Sequence, residues 1–574
     1  MTGAPRNLPL VQGLESLAAL YPKDVDPGEE LRLAIDFLDW PVTAADVVRA
    51  GYVLGAITGT LCAATTVVVP SKFRLVVLLA GVSLGLLTTH TVHTAPKLWA
   101  TERRTRALGA TPDLVARTVL SMRLSPTPER AAAFTARTGE GRLAASLEKH
   151  VRQTKHTARS GLAAFGDAWA DLFPSLRRSV ALVTAAGNAP EHDRGRLLDR
   201  ALTVVMDGTR DQMQSFGAQV RTPATALYAF GVLLPTALVA LLPAAGAAGV
   251  VVTPLSVVVL YNVVLPGILA GAGIWLLARR PVAFPPPAVT TEQSAVTDRR
   301  RPALAVGAVG AVAGWLMGTS VLPSWGPPTL AVALGVGPWL WLRYRPIVSV
   351  YGRIRDVEES LPDALSLVGR RVANGRAVET AIEGAADELD GEAGEMLADG
   401  ATRQRQLQIG VHEAFLGRYG ALEALPSPRV RGSIALLALA AREGRPAGSA
   451  LLSLAEHVED LQRIEQEARH SLAHVCRTLQ STGMLFAPMV AGSTVALAEG
   501  IGGQALLGEG GQSLLWLGGP IGVYVLFLAG FLTALSTGLT RGLDRSLVGY
   551  RAGRALVCAS IIYTLSYLLV GNLI

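Results

Sequence analysis

The sequence predicts an all-α, polytopic membrane protein with about nine transmembrane helices and two repeated cytoplasmic helical-bundle domains. Three observations carry this expectation. Half of the 574 residues are hydrophobic and only 17% are charged, and the mean hydropathy of +0.37 is too apolar for an ordinary soluble protein. Apolar runs near the roughly 20 residues that a helix needs to cross hydrocarbon recur along the chain. Between them lie two long charged stretches with apolar residues at helical spacing, and their features come in the same order.

The chain opens on a mixed segment, 1–49, without the basic-then-apolar layout of a cleaved signal peptide, so it is expected to stay attached on the cytoplasmic side. Within it, PGEELRLAIDFLDW places Leu31, Ala34, Ile35 and Leu38 on one helical face. That face either lies along the membrane surface or packs on the later helical blocks. Spans one and two follow at 50–69 and 75–92, the first cytoplasmic helical domain at 97–221, and spans three and four within 224–277. A Pro-rich cytoplasmic linker, 279–302, leads to spans five and six within 303–342, with Pro328 and Pro338 within or beside the sixth. The second helical domain covers 343–477, and spans seven to nine fill 479–574.

The second block is the more clearly patterned. LPDALSLVGRRVANG puts Leu361, Leu365, Val368 and Val372 on one face and stops at Asn374-Gly375. Pro426-Ser427-Pro428 breaks the chain before the next helix, and Leu451, Leu454, Val458, Leu461, Ile464, Ala468, Leu472 and Val475 then mark a long amphipathic helix running towards a span. The first block matches it: TPDLVARTVLSMRLS at Thr111 reads like LPDALSLVGRRVANG, and SLRRSVALVTAAGNA at Ser175 reads like RVRGSIALLALAARE at Arg429. Shared order predicts an internal duplication. The first block is rich in basic residues (Arg103, Arg104, Arg106, Arg152, Arg177, Arg178) and the second is acidic over 379–399, so the two either pair or offer a partner two differently charged surfaces.

Orientation follows from arginine. Arg103, Arg104 and Arg106, Arg279 and Arg280, Arg299 to Arg301, Arg343 and Arg345, and Arg541, Arg545, Arg551 and Arg554 fall in alternate connections, which are expected to be cytoplasmic. The opposite connections at 243–249, 323–327 and 499–512 have no Lys or Arg, with Lys72 and Arg74 as the exception. The N-terminus is therefore expected inside and the C-terminus outside, across a cell membrane. Gly51, Gly55 and Gly59 in span one, and Gly310, Gly314 and Gly318 in span five, form small-residue stripes suited to close helix packing.

Chemistry is sparse. No Asp, Glu, Lys or Arg falls inside the nine predicted runs, which argues against ion-coupled transport. There is no GxxxxGK[ST] phosphate loop, HExxH or GxSxG, so no cofactor, metal or catalytic residue is expected. The three cysteines, Cys62, Cys476 and Cys558, are scattered without metal spacing. His90 and His93, at spacing three, lack the further carboxylate or cysteine that a metal needs and read as interfacial. The net charge of +7 is assigned to cytoplasmic loops rather than to a nucleic-acid partner. Glu443 in AREGRPAG, with Arg445, sits at a helix-to-helix elbow and either meets a partner or caps and pairs locally.

With LPDALSLVGRRVANGRAVETAIEGAADEL and REGRPAGSALLSLAEHVEDL between flanking spans, twice over, the chain resembles the type II secretion system F family. More narrowly, it is similar to the archaeal membrane platform proteins of type IV pili and the archaellum. The resemblance covers nearly the whole chain from about Leu31. Glu443 matches the acidic elbow residue frequent in that family, whereas the first block has Gly187-Asn188-Ala189 there. What the resemblance implies is a non-enzymatic platform whose cytoplasmic bundles engage a hexameric ATPase, and whose spans guide pilin-like subunits from the membrane lipid into a filament. Glu443, Arg445, Arg541, Arg545, Arg551 and Arg554 are its candidate partner contacts. Such platforms are often dimers, which makes a homodimer a further partner. A transporter or channel subunit, and a membrane enzyme, are the alternatives.

Overall fold

A computed structural model of the chain describes all residues except 1–8, 39, 68–73, 140, 155–159, 248–252, 281–299, 424, 444–446, 506–513 and 574. The chain divides into two compact units, Met1–Arg106 with Leu277–Arg280, and Ala107–Leu276 with Pro281–Ile574. Among the described residues every regular element is a helix.

The first unit holds α1 (Pro9–Ala18), α2 (Glu29–Leu38), α3 (Ala44–Thr65) and most of α4 (Arg74–Gly109). A capping box starts α3: Asp46 N–H donates to Thr43 Oγ1 at 3.3 Å, and Thr43 N–H donates to Asp46 Oδ2 at 3.2 Å. The apolar face of α2 is covered by protein, with Leu31 and Ile35 against Val47 and Val48 of α3, and Ala34 and Leu38 against Ala100 of α4. Gly51 and Gly55 bring α3 close to α4. The Thr89 hydroxyl donates to Gly51 O at 3.1 Å, and a Cβ on Gly55 would stand 2.7 Å from Gly85 O. His93 Nε2 donates to Val48 O at 3.1 Å and its ring meets Tyr52 edge-on at 5.2 Å, while His90 is exposed.

The second unit begins with α5 (Thr111–Leu124), α6 (Pro128–Thr138), α7 (Gly141–Gln153), α8 (Gly161–Ala168), α9 (Pro174–Asn188) and α10 (Glu191–Tyr228), the last running through a π turn, Ala229–Leu233, into α11 (Leu234–Ala247). Then come α12 (Pro254–Val259), a π turn at Leu260–Val264, α13 (Leu265–Ala278) and α14 (Arg300–Val321). The 48-residue α15 (Gly326–Ala373) leads to α16 (Val378–Glu388), α17 (Glu392–Leu407), α18 (Val411–Leu416), α19 (Pro428–Glu443) and α20 (Ala447–Ser481). A third π turn, Thr482–Phe486, continues α20 into α21 (Ala487–Ala505), and α22 (Gly518–Arg541) and α23 (Arg545–Gly571) close the chain. The end of α15 followed by α16 to α20 has the same helix order as α5 to α10.

Local chemistry accounts for these boundaries. At the end of α15, Gly375 takes φ +88°, and Arg376 N–H reaches Arg371 O at 3.1 Å while Gly375 N–H reaches Val372 O at 2.9 Å, a Schellman stop. The three π turns share a cause. Pro235, Pro266 and Pro488 each lie two residues beyond one of them. A mid-helix proline offers no N–H and crowds the carbonyl four residues back, and widening the preceding turn relieves the crowding.

Among the described residues, seven helices are long and apolar enough to cross a membrane: α3, the apolar end of Glu191–Leu242, Pro254–Ala278, α14, the apolar end of Gly448–Gly500, α22 and α23. The chain is a multi-pass membrane protein of all-helical fold. The sequence-predicted second and sixth spans lie in α4 and α15, outside this set of seven. Pro338 does not interrupt α15, so the sixth run is the opening of a helix that continues into the second charged block. Gly310, Gly314 and Gly318 face that helix. A Cβ on Gly314 would stand 2.6 Å from Leu330 O, one on Gly318 2.5 Å from Pro327 Cα, and one on Gly310 would strike the Leu334 carbonyl. The hydrophobic core of the second block gathers Leu361, Leu365, Ile382, Leu397 and Phe415 from α15 to α18, with Leu120 of α5 joining it.

Candidate functional site

The two helical blocks meet where α5 and α10 pack on α19 and α20. Arg117 of α5 is only 4% exposed. One turn after Asp113, it pairs with that carboxylate at 2.7 Å, and donates to Thr138 O in its own block and to Pro428 O, at 3.3 Å, in the other. Gly432 makes room for it, since a Cβ there would strike the guanidinium. Arg123 donates to Ser453 Oγ at 2.7 Å, and Arg210 forks onto Glu467, with Nε to Oε2 at 2.8 Å. Each of these cross-seam contacts starts at an arginine of the first block.

The charges singled out from sequence are used differently. Glu383, Glu388, Glu392 and Asp399 pair with Arg405, Arg371, Arg353 and Arg403 of their own block, and Arg152 and Arg177 pair with Glu148 and Asp167 of theirs.

Beside Arg117 the seam encloses a cavity with room for about one water, lined by Asp113, Arg429, Ser433 and His457. His457 is 3% exposed and, among the described residues, neither ring nitrogen has a hydrogen-bond partner. The ring lies outside the hydrocarbon, because α20 carries Glu459, Asp460, Arg463, Glu465, Glu467 and Arg469 before its apolar end. Burial lowers its pKa to about 4, with the Asp113 carboxylate opposing and the Arg429 cation assisting. Arg429 is itself held by Glu358 at 3.6 Å and Glu465 at 3.3 Å.

Of the predicted partner contacts, Glu443 ends α19, with its side chain outside the described residues, and Arg445 lies outside them altogether. Arg541, Arg545, Arg551 and Arg554 flank one rigid turn. Asp544 accepts from Ser546 N–H and Leu547 N–H at 2.9 Å each and from Tyr351 Oη at 2.8 Å, while Gly542 takes φ +92°. Arg545 and Arg554 are exposed; Arg541 and Arg551 are half-buried.

Two clusters lie among the spans. Tyr261 Oη donates to Pro235 O at 2.6 Å, Tyr524 Oη donates to Gly231 O at 2.5 Å, and the rings meet edge-on at 5.5 Å. Farther along, Tyr567 Oη donates to Glu499 Oε2 at 2.6 Å, and Trp325 stands edge-on to Tyr567 at 5.2 Å. The sequence reading puts Glu499 in a connection. Instead α21 runs on to Ala505, so this carboxyl lies inside the helix and is buried at 8% exposure. Glu499 was assigned by where hydropathy falls, and helical hydrogen bonding does not stop there.

His457, Arg117, Tyr261 and Tyr524 were also absent from the sequence-derived candidates. His457 interrupts the apolar stripe three residues after Leu454, which is the signal that was available for it. Among the described residues, no three His, Cys, Asp or Glu side chains converge as metal ligands, and no disulfide joins the three cysteines. The arrangement is one of helix packing and charge pairing. No protein-family model matches the chain, and no curated protein or solved structure matches it either.

Proposed function

We propose that the chain is a platform of a filament-assembly machine of the type IV pilus kind, coupling a separate cytoplasmic ATPase to the movement of pilin-like subunits out of the membrane. The observation that carries this reading is the doubled helix order. Six helical segments occur twice, and in each case the last of them, 38 residues in α10 and 35 in α20, passes through a π turn and a proline into an apolar run. This supports an internal duplication with two cytoplasmic bundles, each coupled rigidly to a span, in a nine-span topology with N-terminus inside and C-terminus outside. The cross-seam arginines hold the bundles as one body, and Glu443 with exposed Arg545 and Arg554 forms the docking face.

The test uses the whole chain in detergent. It should hydrolyse no nucleotide by itself and should retain a secretion-type ATPase encoded beside it. Retention should weaken as salt shortens the screening length from about 10 Å at 0.1 M to about 3 Å at 1 M. Absence of capture at any salt overturns the reading. In a cysteine-free background, Ser324→Cys should react with an impermeant thiol reagent on intact cells and Gln406→Cys should not, both positions being exposed; labelling of the second overturns the topology.

Buried Glu499 favours a second reading, a transporter or channel subunit, because intramembrane carboxyls commonly serve ion paths. Flux into proteoliposomes that is lost in Glu499→Gln would select it.

A further inference from the structure

Arg541 closes α22 and Arg551 stands in the second turn of α23, on either side of the turn 542–544. Among the described residues neither has a carboxylate within ion-pair distance. Arg551 donates to Thr537 Oγ1 at 3.4 Å and lies near Cys476. The charges acting on Arg541 are chiefly cations, Arg551, Arg469 and Arg355, with Glu465 alone opposing them. The local carboxylates are already committed: Glu465 to Arg429 and Arg469, and Asp544 to the cap of α23 and Tyr351. Two half-buried guanidiniums on either side of one turn, with further cations acting on them, leave an excess of positive charge that partial burial makes costly without an anion.

Depth identifies the anion. The apolar run of α22 ends at Leu539 and that of α23 opens at Ala555, four residues and so about 6 Å beyond Arg551. The headgroup layer on each side of the hydrocarbon is about 5–7 Å thick. Leu543, at the tip of the turn, is 63% exposed and offers an apolar contact at the same level. We infer that Arg541 and Arg551 form a site for the phosphate of an anionic phospholipid, which completes the charge balance at the ends of α22 and α23. Exposed Arg545 and Arg554, the second close enough for its charge to act on Arg551, remain for a protein partner. Guanidinium forks suit this task because they bind phosphate oxygens bidentately.

The experiment is native mass spectrometry of the full chain in detergent, titrated with phosphatidylglycerol, phosphatidylcholine and inorganic phosphate. The wild type should retain phosphatidylglycerol over phosphatidylcholine. Arg541→Gln/Arg551→Gln should weaken that retention about thirtyfold, at about fivefold per charge. Arg541→Lys/Arg551→Lys should recover part of it, and Arg545→Gln/Arg554→Gln should leave it within about twofold. Equal retention by the two Gln pairs overturns the site, as does loss in the Lys pair as deep as in the buried Gln pair. Displacement by inorganic phosphate at equal concentration overturns the lipid as its source. Unchanged lipid retention with lost ATPase capture in the buried Gln pair would assign these residues to the protein partner instead.

Discussion

Tyr524 Oη donates to the carbonyl of Gly231, 293 residues earlier and four before Pro235. In an α-helix that carbonyl would accept from residue 235, which as proline has no N–H. A tyrosine on α22 therefore serves the acceptor that a proline on α11 cannot, and joins the two halves of the chain inside the membrane.

This relationship predicts a coupling. Tyr524→Phe should destabilise the protein by about 1 kcal/mol, the value of one buried hydrogen bond. In a Pro235→Ala background, where the helix can supply its own donor, the same change should cost clearly less. Thermal unfolding of the four proteins in one detergent closes the cycle, and an equal loss in both backgrounds would sink the account.

The buried neutral imidazole of His457 predicts a pH dependence. Its folded pKa of about 4 lies below the unfolded value of 6.5. The unfolded chain therefore binds the proton first on acidification. The contribution is fully present above about pH 6.5, is lost as the pH falls towards 4, and is flat below that; the difference corresponds to about 3 kcal/mol. His457→Leu removes a ring whose nitrogens have no hydrogen-bond partner among the described residues, so at pH 7 it should be neutral or mildly stabilising. Its stability should fall less steeply than the wild type between pH 6.5 and 4, and parallel curves would show that His457 is not the titrating group.

Arg117 and Arg210 both cross the seam, and their surroundings predict opposite outcomes. Arg117 is buried, and removing it leaves Asp113 and two carbonyls without their donor. Arg117→Met should cost about 3 kcal/mol or more. Arg210 and Glu467 keep 45% and 41% of their side-chain surface exposed. Arg210→Met should barely move the melting temperature, and the effect should vanish in high salt. Melting curves at low and high salt distinguish the two.

Gly314→Leu forces a side chain into the carbonyl of Leu330, where even a Cβ would stand at 2.6 Å. The amount of assembled protein in the membrane should fall, whereas Gly267→Leu, at a glycine with open space around it, should be tolerated. Equal levels of the two variants would remove close α14–α15 packing as a requirement.

Sequence alone determined what depends on neighbours in the chain. The apolar stripe from Leu451 to Val475 became α20, Asn374-Gly375 stopped α15, Pro428 opened α19, and composition placed the protein in a membrane. Helical periodicity, caps and hydropathy act over a few residues, and so they are legible there. The face of α2 was legible too, although its cover, α3 and α4, was not. Only the tertiary structure decided which charges meet. Arg117 reaches Pro428 across 311 residues, Arg210 reaches Glu467 across 257, and Tyr567 reaches Glu499 across 68. A buried polar group is stable only where a partner or a gap is supplied by another element, and no local pattern states which element that will be. For the same reason the acidic run 379–399 left open whether it pairs with the first block or faces a partner, and it is packing of α15 to α18 that sets Glu383, Glu388, Glu392 and Asp399 against arginines of their own block.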